Sequence, residues 1–255
     1  MKKKFFVSLL FLVLSVFTLV MFGCKGDTGP AGATGATGAP GTPGESIIAT
    51  TFQKDFYPSP AYSGVIDSYI VSDSYENGNN GTATSLYIGF FKVTNPIILF
   101  GKQRPVIKFD LNYLSGQNII VKNAKLILYV QNYYPSTLAS IDVNVYKLIN
   151  NQFTENGVTW MKYDGSNNWT TSGGDYDSVQ ISNKLIASSD IGKFVNFDLN
   201  PTVVQSWIDN PSDNYGMILI SSKEDSTSST FVDFASSNTG VVQYRPKLTV
   251  YYTLN

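Results

Sequence analysis

Phe153-Thr154-Glu155-Asn156-Gly157-Val158-Thr159-Trp160 lies near the middle of a long region of alternating sequence pattern. Its central Asn-Gly pair is a turn signal, because both residues tolerate a positive φ. Strand patterns precede it, such as Ile141–Leu148, and follow it, such as Phe194–Leu199. The stretch therefore predicts a turn-bearing connection between two sheets of an all-β domain.

The region from Ile47 to the last residue alternates apolar and polar positions between turns rich in Gly, Asn and Ser. Such alternation is typical of sheets with one face on a core and one face in water. No second linker interrupts it, so we expect a single domain over residues 47–255. Short strands at this spacing predict a β-sandwich of jelly-roll type. The clearest predicted strands are Ser68–Ser72, Ser85–Gly89, Val106–Leu111, Ala124–Gln131, Ile141–Leu148, Phe194–Leu199, Gly216–Ser221, Phe231–Ala235 and Lys247–Tyr252.

One short helix is predicted after Leu199. Asn200 can cap its N-terminus, Pro201 suits its first turn, and Asn210-Pro211 ends it. Because its apolar residues share one face, the helix should cover one end of the sandwich, with Trp207 in the core. That face consists of Val203, Val204, Trp207 and Ile208.

Composition excludes several classes of function. The 255 residues are 43% apolar, 14% aromatic and 15% charged, which favours strands and permits a sizeable core. The absence of histidine removes Ser-His-Asp catalysis, His general bases and His metal ligands. Cys24 is the single cysteine, so neither a disulfide framework nor a cysteine-type zinc site is expected. A formal net charge of -1 argues against nucleic-acid binding.

Residues 1–23 have the pattern of an export segment. Three lysines follow Met1, and an apolar run from Phe5 to Phe22 leads to Gly23-Cys24. This ending resembles a bacterial lipoprotein signal, in which the cysteine is acylated and becomes the first residue. The run could instead remain as an uncleaved membrane anchor, since roughly 18 apolar residues nearly span a bilayer. Both interpretations predict a membrane-anchored, extracytoplasmic protein at the cell surface or outer membrane.

Residues 24–46 form a predicted spacer. Glycine recurs at every third position from Gly26 to Gly44, with Pro, Ala and Thr between. Only Gly fits at the axis of a collagen triple helix, so this register predicts a homotrimer. A short Gly-X-Y run equally suits a flexible stalk on a monomer. In either form it separates the domain from the membrane.

Several segments match, in order and spacing, a family of secreted β-sandwiches. They are Asp67–Ile70, Leu86–Gly89, Ile107–Leu111, Ala124–Tyr129, Thr154–Trp160, Phe197–Asn200, Asn214–Gly216 and Tyr244–Leu248. Residues 67–252 thus resemble the DNRLRE domain family, which also occurs in disaggregatase-related proteins and is partly classed as carbohydrate-binding modules. The resemblance implies a jelly-roll-type β-sandwich with a non-catalytic, sugar-binding role. Phe153 and Met161–Asp164 depart from the Trp and Asn-Pro that are usual in the family.

Glu155 is one candidate for chemistry. If it is buried between sheets it needs a cationic partner, which Arg104, Lys108 or Arg245 can supply. We interpret Glu155 as a structural acceptor of hydrogen bonds from turn amides and Thr159. The alternative, a catalytic acid, requires a second carboxylate across a cleft.

Asp67 is a second candidate, as a Ca²⁺ ligand with Asn77 and Asn79 of the turn Glu76–Gly81. Hard cations prefer carboxylate, amide and backbone oxygens, and Gly-rich turns allow carbonyls to converge. The alternative is that these Asn-Gly residues form only a turn.

Aromatic residues in polar loops are the predicted sugar contacts, because apolar sugar faces stack on exposed rings. We expect Trp169 to be the principal contact, with a lid over the core as its alternative role. Lys162 would add recognition of charge if the glycan is acidic. The remaining predicted contacts are Tyr133, Tyr134, Tyr163 and Tyr176.

Together these features predict a surface-anchored lipoprotein that binds polysaccharide, acidic glycans included, without catalysing a reaction. A structural or adhesion protein that contacts another protein or self-assembles is the alternative. A polysaccharide lyase or hydrolase that uses Tyr, Lys and carboxylates is a third hypothesis. Calcium is the one cofactor considered. Structural roles are expected for Glu155, Trp160, Trp207, Asp198 and Arg245.

Overall fold

The computed structural model describes Gly29 and residues 50–255. The predicted signal segment, Cys24 and the Gly-X-Y spacer apart from Gly29 lie outside these residues. Within the part of the chain that is described, no helix is both long enough and apolar enough to cross a membrane.

Eleven strands and one α-helix make up the domain. The helix, α1, spans Pro201–Asp209, and short 3₁₀ turns span Asp73–Tyr75, Ser188–Asp190, Pro211–Asp213 and Val242–Tyr244. The strands are β1 Phe52–Phe56, β2 Val65–Val71, β3 Ser85–Val93, β4 Leu99–Phe109, β5 Ile119–Tyr134, β6 Ile141–Leu148, β7 Tyr176–Ile186, β8 Phe194–Leu199, β9 Met217–Ser221, β10 Thr230–Ala235 and β11 Lys247–Leu254.

All strands pair antiparallel, and the long strand β5 joins the two layers of the sandwich. Its first half pairs with β11 and β8, and its last residues pair with β10. On β3 and β10, Ile88 and Phe234 point into the main core. Phe197 of β8 meets Phe234 edge-on at a ring-centroid distance of 6.3 Å, so the layers pack directly on each other. The predicted all-β sandwich of jelly-roll type is confirmed.

The helix is also confirmed, including its ends. The Asn200 side chain accepts a hydrogen bond from the Thr202 amide at 3.0 Å, and Pro201 occupies the first turn. Trp207 is fully buried in the main core together with Val204 and Ile208.

Two strands, β1 and β7, have no counterpart among the predicted strands. β1 carries Gln53, Lys54 and Asp55, and β7 leaves Val179 and Leu185 exposed. Each is a terminal strand of the pairing order, so neither is required to show a clear apolar alternation.

The connection that contains Phe153–Trp160 differs from its prediction. It links β6 to β7, which are hydrogen-bonded neighbours in one sheet, so the predicted link between two sheets is wrong. The Asn-Gly turn is present, since the amides of Gly157 and Val158 both donate to the Thr154 carbonyl.

Candidate functional site

The β6–β7 loop, residues 149–175, folds over a second, smaller core. Trp169 belongs to that core and is only 5% exposed, with its Nε1 donating to the Thr159 carbonyl at 3.0 Å. The expectation that Trp169 faces solvent as a sugar platform is wrong, and its alternative role as a lid on a core is the observed one. The other fully buried members are Ile70, Val106, Leu148, Phe153, Val158 and Ile218.

The other predicted aromatic contacts divide by exposure. Tyr133 is buried, with its hydroxyl donating to the Leu138 carbonyl at 3.0 Å, so its predicted exposure is wrong. Tyr163 and Tyr176 are half-buried against the second core. Tyr134 is 49% exposed, as a sugar contact requires.

Lys162 lies in the same β6–β7 loop. Its Nζ donates to the Gly165 carbonyl at 3.3 Å, which ties it to the loop's own backbone. Its predicted role in recognising an acidic glycan stays a prediction.

Glu155 lies in a network of loops rather than between sheets. Its carboxylate accepts from the Asn238 amide at 3.1 Å, and its carbonyl accepts from Asn79 at 2.9 Å. A Cβ at position 81 would lie 2.1 Å from that carbonyl oxygen, so Gly81 is required by the close approach of the two turns. The network therefore braces the β6–β7 loop against the turn before β3.

The predicted cationic partners of Glu155 are engaged elsewhere. Arg104 binds both carboxylate oxygens of Glu224, at 2.8 and 2.7 Å. Lys108 contacts the Gln152 side chain, and the Arg245 Nε donates to the Thr239 carbonyl at 3.0 Å. None of the three cations is therefore the partner that a Glu155 buried between sheets would need. The carboxylate is a structural acceptor, as predicted, but it accepts from the Asn238 side-chain amide.

Arg104 also explains the position of Trp160. The guanidinium lies 4.7 Å from the Trp160 ring centre and donates to the Gly173 carbonyl at 2.9 Å. Trp160 is half-buried, packed between this cation and the second core. It has the predicted structural role, although it is not fully enclosed.

Asp198 is the weakest of the predicted structural residues. It lies exposed on β8, where its carboxylate is 3.7 Å from the Lys125 Nζ. Exposed pairs of this kind contribute little, so its expected importance for the fold is not supported by its contacts.

Asp67 is 1% exposed, and its two oxygens accept from the amide and the hydroxyl of Ser237 at 2.7 and 3.0 Å. Burial raises the pKa of Asp67 to about 7, against the lowering effect of the Ser237 hydrogen bonds. Asn79 uses its oxygen on the Gly81 amide at 3.1 Å, and Asn77 is exposed in the turn. Among the described residues no cluster of three acidic, His or Cys side chains could hold a metal ion. The calcium site thus stays a prediction, without support from these contacts.

A continuous row of aromatic rings crosses the surface of β2, β3, β10 and β5. We call this row the aromatic platform. Tyr87 of β3 and Phe231 of β10 lie on the strand faces that point away from the core, and their ring centroids are 5.7 Å apart. Tyr69 lies 5.3 Å from Tyr87, and Tyr134 stacks on Phe231 at 5.6 Å. The four rings form a connected apolar strip that reaches solvent at Tyr134.

The platform continues into a small cleft of about 220 Å³ beside Tyr69. Tyr75 and Phe91 line it, with ring centroids 5.8 Å apart. Gln103 also lines the cleft, and its Oε1 has no hydrogen-bond partner among the described residues.

Asp233 lies beneath the platform between Tyr87 and Asn132 of the neighbouring strands. Burial raises the pKa of Asp233 to about 6. Its Oδ1 has no hydrogen-bond partner within the described chain. Burial raises the pKa of the Tyr69 and Tyr87 hydroxyls, and the negative charge of Asp233 raises it further. Both phenols therefore stay neutral donors at physiological pH.

Only Tyr134 of this platform was among the predicted contacts. Tyr69, Tyr87 and Phe231 lie inside strands that were correctly predicted. Alternation shows which residues of a strand share a face, but it does not show which face is covered by other parts of the chain. Cross-strand register could have placed them side by side, since rings at alternate positions of paired strands share a face.

A search of curated proteins finds no match to this chain. A family model described as a disaggregatase related repeat domain matches residues 82–250, from the turn before β3 into β11. The matched residues include most of the sandwich, the β6–β7 loop and the platform strands β3, β5 and β10. This chain therefore belongs to the disaggregatase related repeat domain family.

Proposed function

We propose that this domain is a non-catalytic, surface-anchored module that binds polysaccharide on the aromatic platform. The observation that carries the proposal is the row Tyr69, Tyr87, Phe231 and Tyr134, whose neighbouring centroids are 5.3, 5.7 and 5.6 Å apart. Rings presented in a row offer successive stacking positions to the sugars of one chain.

Polar groups around the rings support the same function. Sugar binding needs a few fixed polar atoms beside the apolar surface, because these orient the hydroxyls. The Tyr69 and Tyr87 hydroxyls can serve in this way, since burial raises the pKa of each and keeps both as neutral donors at physiological pH.

The burial of the perturbed carboxyls supports a non-catalytic role. Glycoside hydrolysis uses two carboxyls on opposite sides of a bound sugar. Asp67 is enclosed beneath Ser237, and Asp233 is buried beneath the rings. Neither is presented to a cleft opposite a second acid.

The proposal includes attachment to a membrane through acylated Cys24, with residues 24–46 as spacer. Metabolic labelling with a palmitate analogue tests this: Cys24→Ala should remove the label and leave a precursor of higher mass. An unlabelled wild-type chain that still fractionates with membranes would favour an uncleaved anchor.

Binding on the platform is tested with the purified full chain on a glycan array, followed by calorimetry with the best ligand. Phe231→Ala should weaken binding by about 1–3 kcal/mol, because it removes one of the two inner rings of the row. Its melting temperature should fall by only a few degrees, because the ring is half-exposed. Tyr113→Ala is the matched control, since Tyr113 is an exposed ring against Lys54 outside the platform.

Equal affinities of Phe231→Ala and wild type would refute the platform as the binding surface. If no glycan binds the folded protein, the adhesion hypothesis takes precedence. A specific observation favours that second candidate: the β3–β4 hairpin tip carries Ile97, 67% exposed, and Ile98, 61% exposed. Adjacent exposed isoleucines are typical of a protein-contact surface.

A further inference from the structure

A second groove, of about 560 Å³, lies on strands β5, β8 and β11. The strand residues that line it alternate with core residues: Ile127 follows Leu126, Phe194 precedes Val195, and Lys247 precedes Leu248. The groove is therefore built on the side of these strands that points away from the core. The aromatic platform lies on different strands, apart from the far end of β5.

The groove has an exposed aromatic wall. Phe194 is 50% exposed and lies edge-on to Tyr129, with ring centroids 5.2 Å apart. Tyr129 in turn stacks face to face on Tyr244 at 3.8 Å, which holds the wall in place. Tyr57 is a further exposed ring in the lining. Phe194 and Tyr57 thus offer apolar surface to a sugar ring.

The charges of the groove are unequal. Arg245 and Lys247 contribute two positive charges and Asp55 one negative charge, so 2 − 1 leaves a net charge of +1 in the lining. Asp55 is already engaged, with Lys247 at 3.7 Å and the Thr249 hydroxyl at 2.7 Å. The excess charge is that of Arg245.

Arg245 is oriented by its backbone contact, and its positive charge acts on buried Asp67, where it lowers the pKa slightly against the larger effect of burial. Its Nε donates to the Thr239 carbonyl at 3.0 Å, and among the described residues the guanidinium forms no ion pair. A held guanidinium with open terminal N–H groups matches a carboxylate in bidentate geometry. Asn196 and Gln243, also in the lining, can hydrogen-bond the remaining hydroxyls.

From this combination we propose that the groove is a second saccharide site, separate from the platform, and that it binds uronate sugars through Arg245. The platform offers neutral phenols and a buried carboxylate, whereas the groove offers a guanidinium beside an exposed ring. One domain would then hold two polysaccharide chains of different charge and cross-link them. This inference depends only on the residues of the groove and does not require the platform to bind a glycan.

The test is calorimetry of the purified full chain with oligogalacturonate and with its fully methyl-esterified form. The two probes share one backbone and differ in charge. The acidic form should bind at least tenfold more tightly, because only it offers a carboxylate to Arg245. Equal binding of both forms, or binding of neither, overturns the proposal.

Variants locate the binding. Phe194→Ala should weaken oligogalacturonate binding about tenfold or more, and Arg245→Gln should abolish the preference over the ester. Tyr113→Ala and Lys125→Gln, both outside the groove lining and the platform, should leave this affinity unchanged. Melting temperatures establish that each variant is folded; Phe194→Ala keeps the test decisive if Arg245→Gln does not fold. An unchanged affinity in folded Phe194→Ala, or tighter binding of dextran sulfate than of oligogalacturonate, overturns the uronate assignment.

Discussion

The β6–β7 loop and the aromatic platform both carry aromatic residues among polar neighbours, but they present them in opposite ways. In the loop, Trp169 turns inward onto a second core, and Ser166, Asn167 and Asn168 before it face water. On the platform, Tyr87 and Phe231 occupy regular strands yet point away from the core. Local polarity therefore does not reveal the exposure of a ring.

The difference has a physical cause. A long loop must satisfy its backbone groups, and this loop does so with bonds such as the Trp169 amide to the Met161 carbonyl and the Gly173 amide to the Trp160 carbonyl. Burying Trp169 then supplies the apolar contact that holds the loop closed. A strand has its backbone satisfied by its neighbours, so its outward rings need no cover.

The largest expected difference between the two regions is in stability. Trp169→Ala should lower the free energy of unfolding by about 3–5 kcal/mol, because it removes a buried aromatic side chain and the Nε1 hydrogen bond. Phe231→Ala, with a half-exposed ring, should cost less than about 1.5 kcal/mol. Urea denaturation followed by circular dichroism measures both.

The comparison fails if the two variants are equally stable. A control for a fully enclosed indole is Trp207→Ala, which should cost about as much as Trp169→Ala because Trp207 is buried in the main core. A loss below about 1 kcal/mol in Trp169→Ala would mean that the β6–β7 loop opens in solution.

An intermediate effect is expected from pH, since each region has a buried carboxyl. The pKa of Asp67, beside the β6–β7 loop, is raised to about 7, and that of Asp233, beneath the platform, to about 6, both from 3.8. A carboxyl whose pKa is higher in the folded than in the unfolded chain binds protons on folding. Stability should therefore fall as pH rises from about 4 to about 7, by roughly 1–3 kcal/mol for Asp67.

In Asp67→Asn, the fall in stability with rising pH should be smaller than in wild type up to about pH 7. In Asp233→Asn, the fall should be smaller only up to about pH 6. Asp198→Asn is the matched control on an exposed carboxylate and should leave the profile unchanged. Urea midpoints at half-unit pH steps give the profile; an identical slope in Asp67→Asn and wild type would contradict the buried, protonated state.

The smallest effect is expected from calcium. Ser237 already occupies both Asp67 oxygens, so millimolar Ca²⁺ should raise the melting temperature by less than about 1 °C relative to EGTA. A larger rise that Asp67→Asn abolishes would instead establish the predicted cation site next to the β6–β7 loop.

Much of the fold could be predicted from local pattern. The strands Ile141–Leu148 and Phe194–Leu199 and the capped helix at Pro201–Asp209 coincide with their predictions, because alternation, capping and Pro placement act within a few residues. β1 and β7 could not be recognised, because strands at the ends of the pairing order do not require a clear alternation of apolar residues. The sheet that contains the strand after the β6–β7 loop is determined by pairing between distant residues. No local sequence signal encodes that pairing.

Most of the candidate site could not be predicted. Tyr69, Tyr87, Phe231 and Tyr134 come from four strands and meet only through strand pairing: β2 and β3 both pair with β4, β3 pairs with β10, and β10 pairs with β5. Phe194 and Arg245 likewise belong to separate segments that converge on one groove. Rings far apart in sequence have no shared pattern before the strands pair.

The all-β class, most strands and the capped helix follow from local sequence pattern, since these depend on neighbours within a few positions. That pattern also predicted that Trp207 is buried, because the residue lies on the apolar face of an amphipathic helix. By contrast, no sequence pattern indicates that Trp169 is covered while Tyr87 and Phe231 are open. That outcome depends on which distant segment packs over each surface, and packing of distant segments is a property of the whole fold.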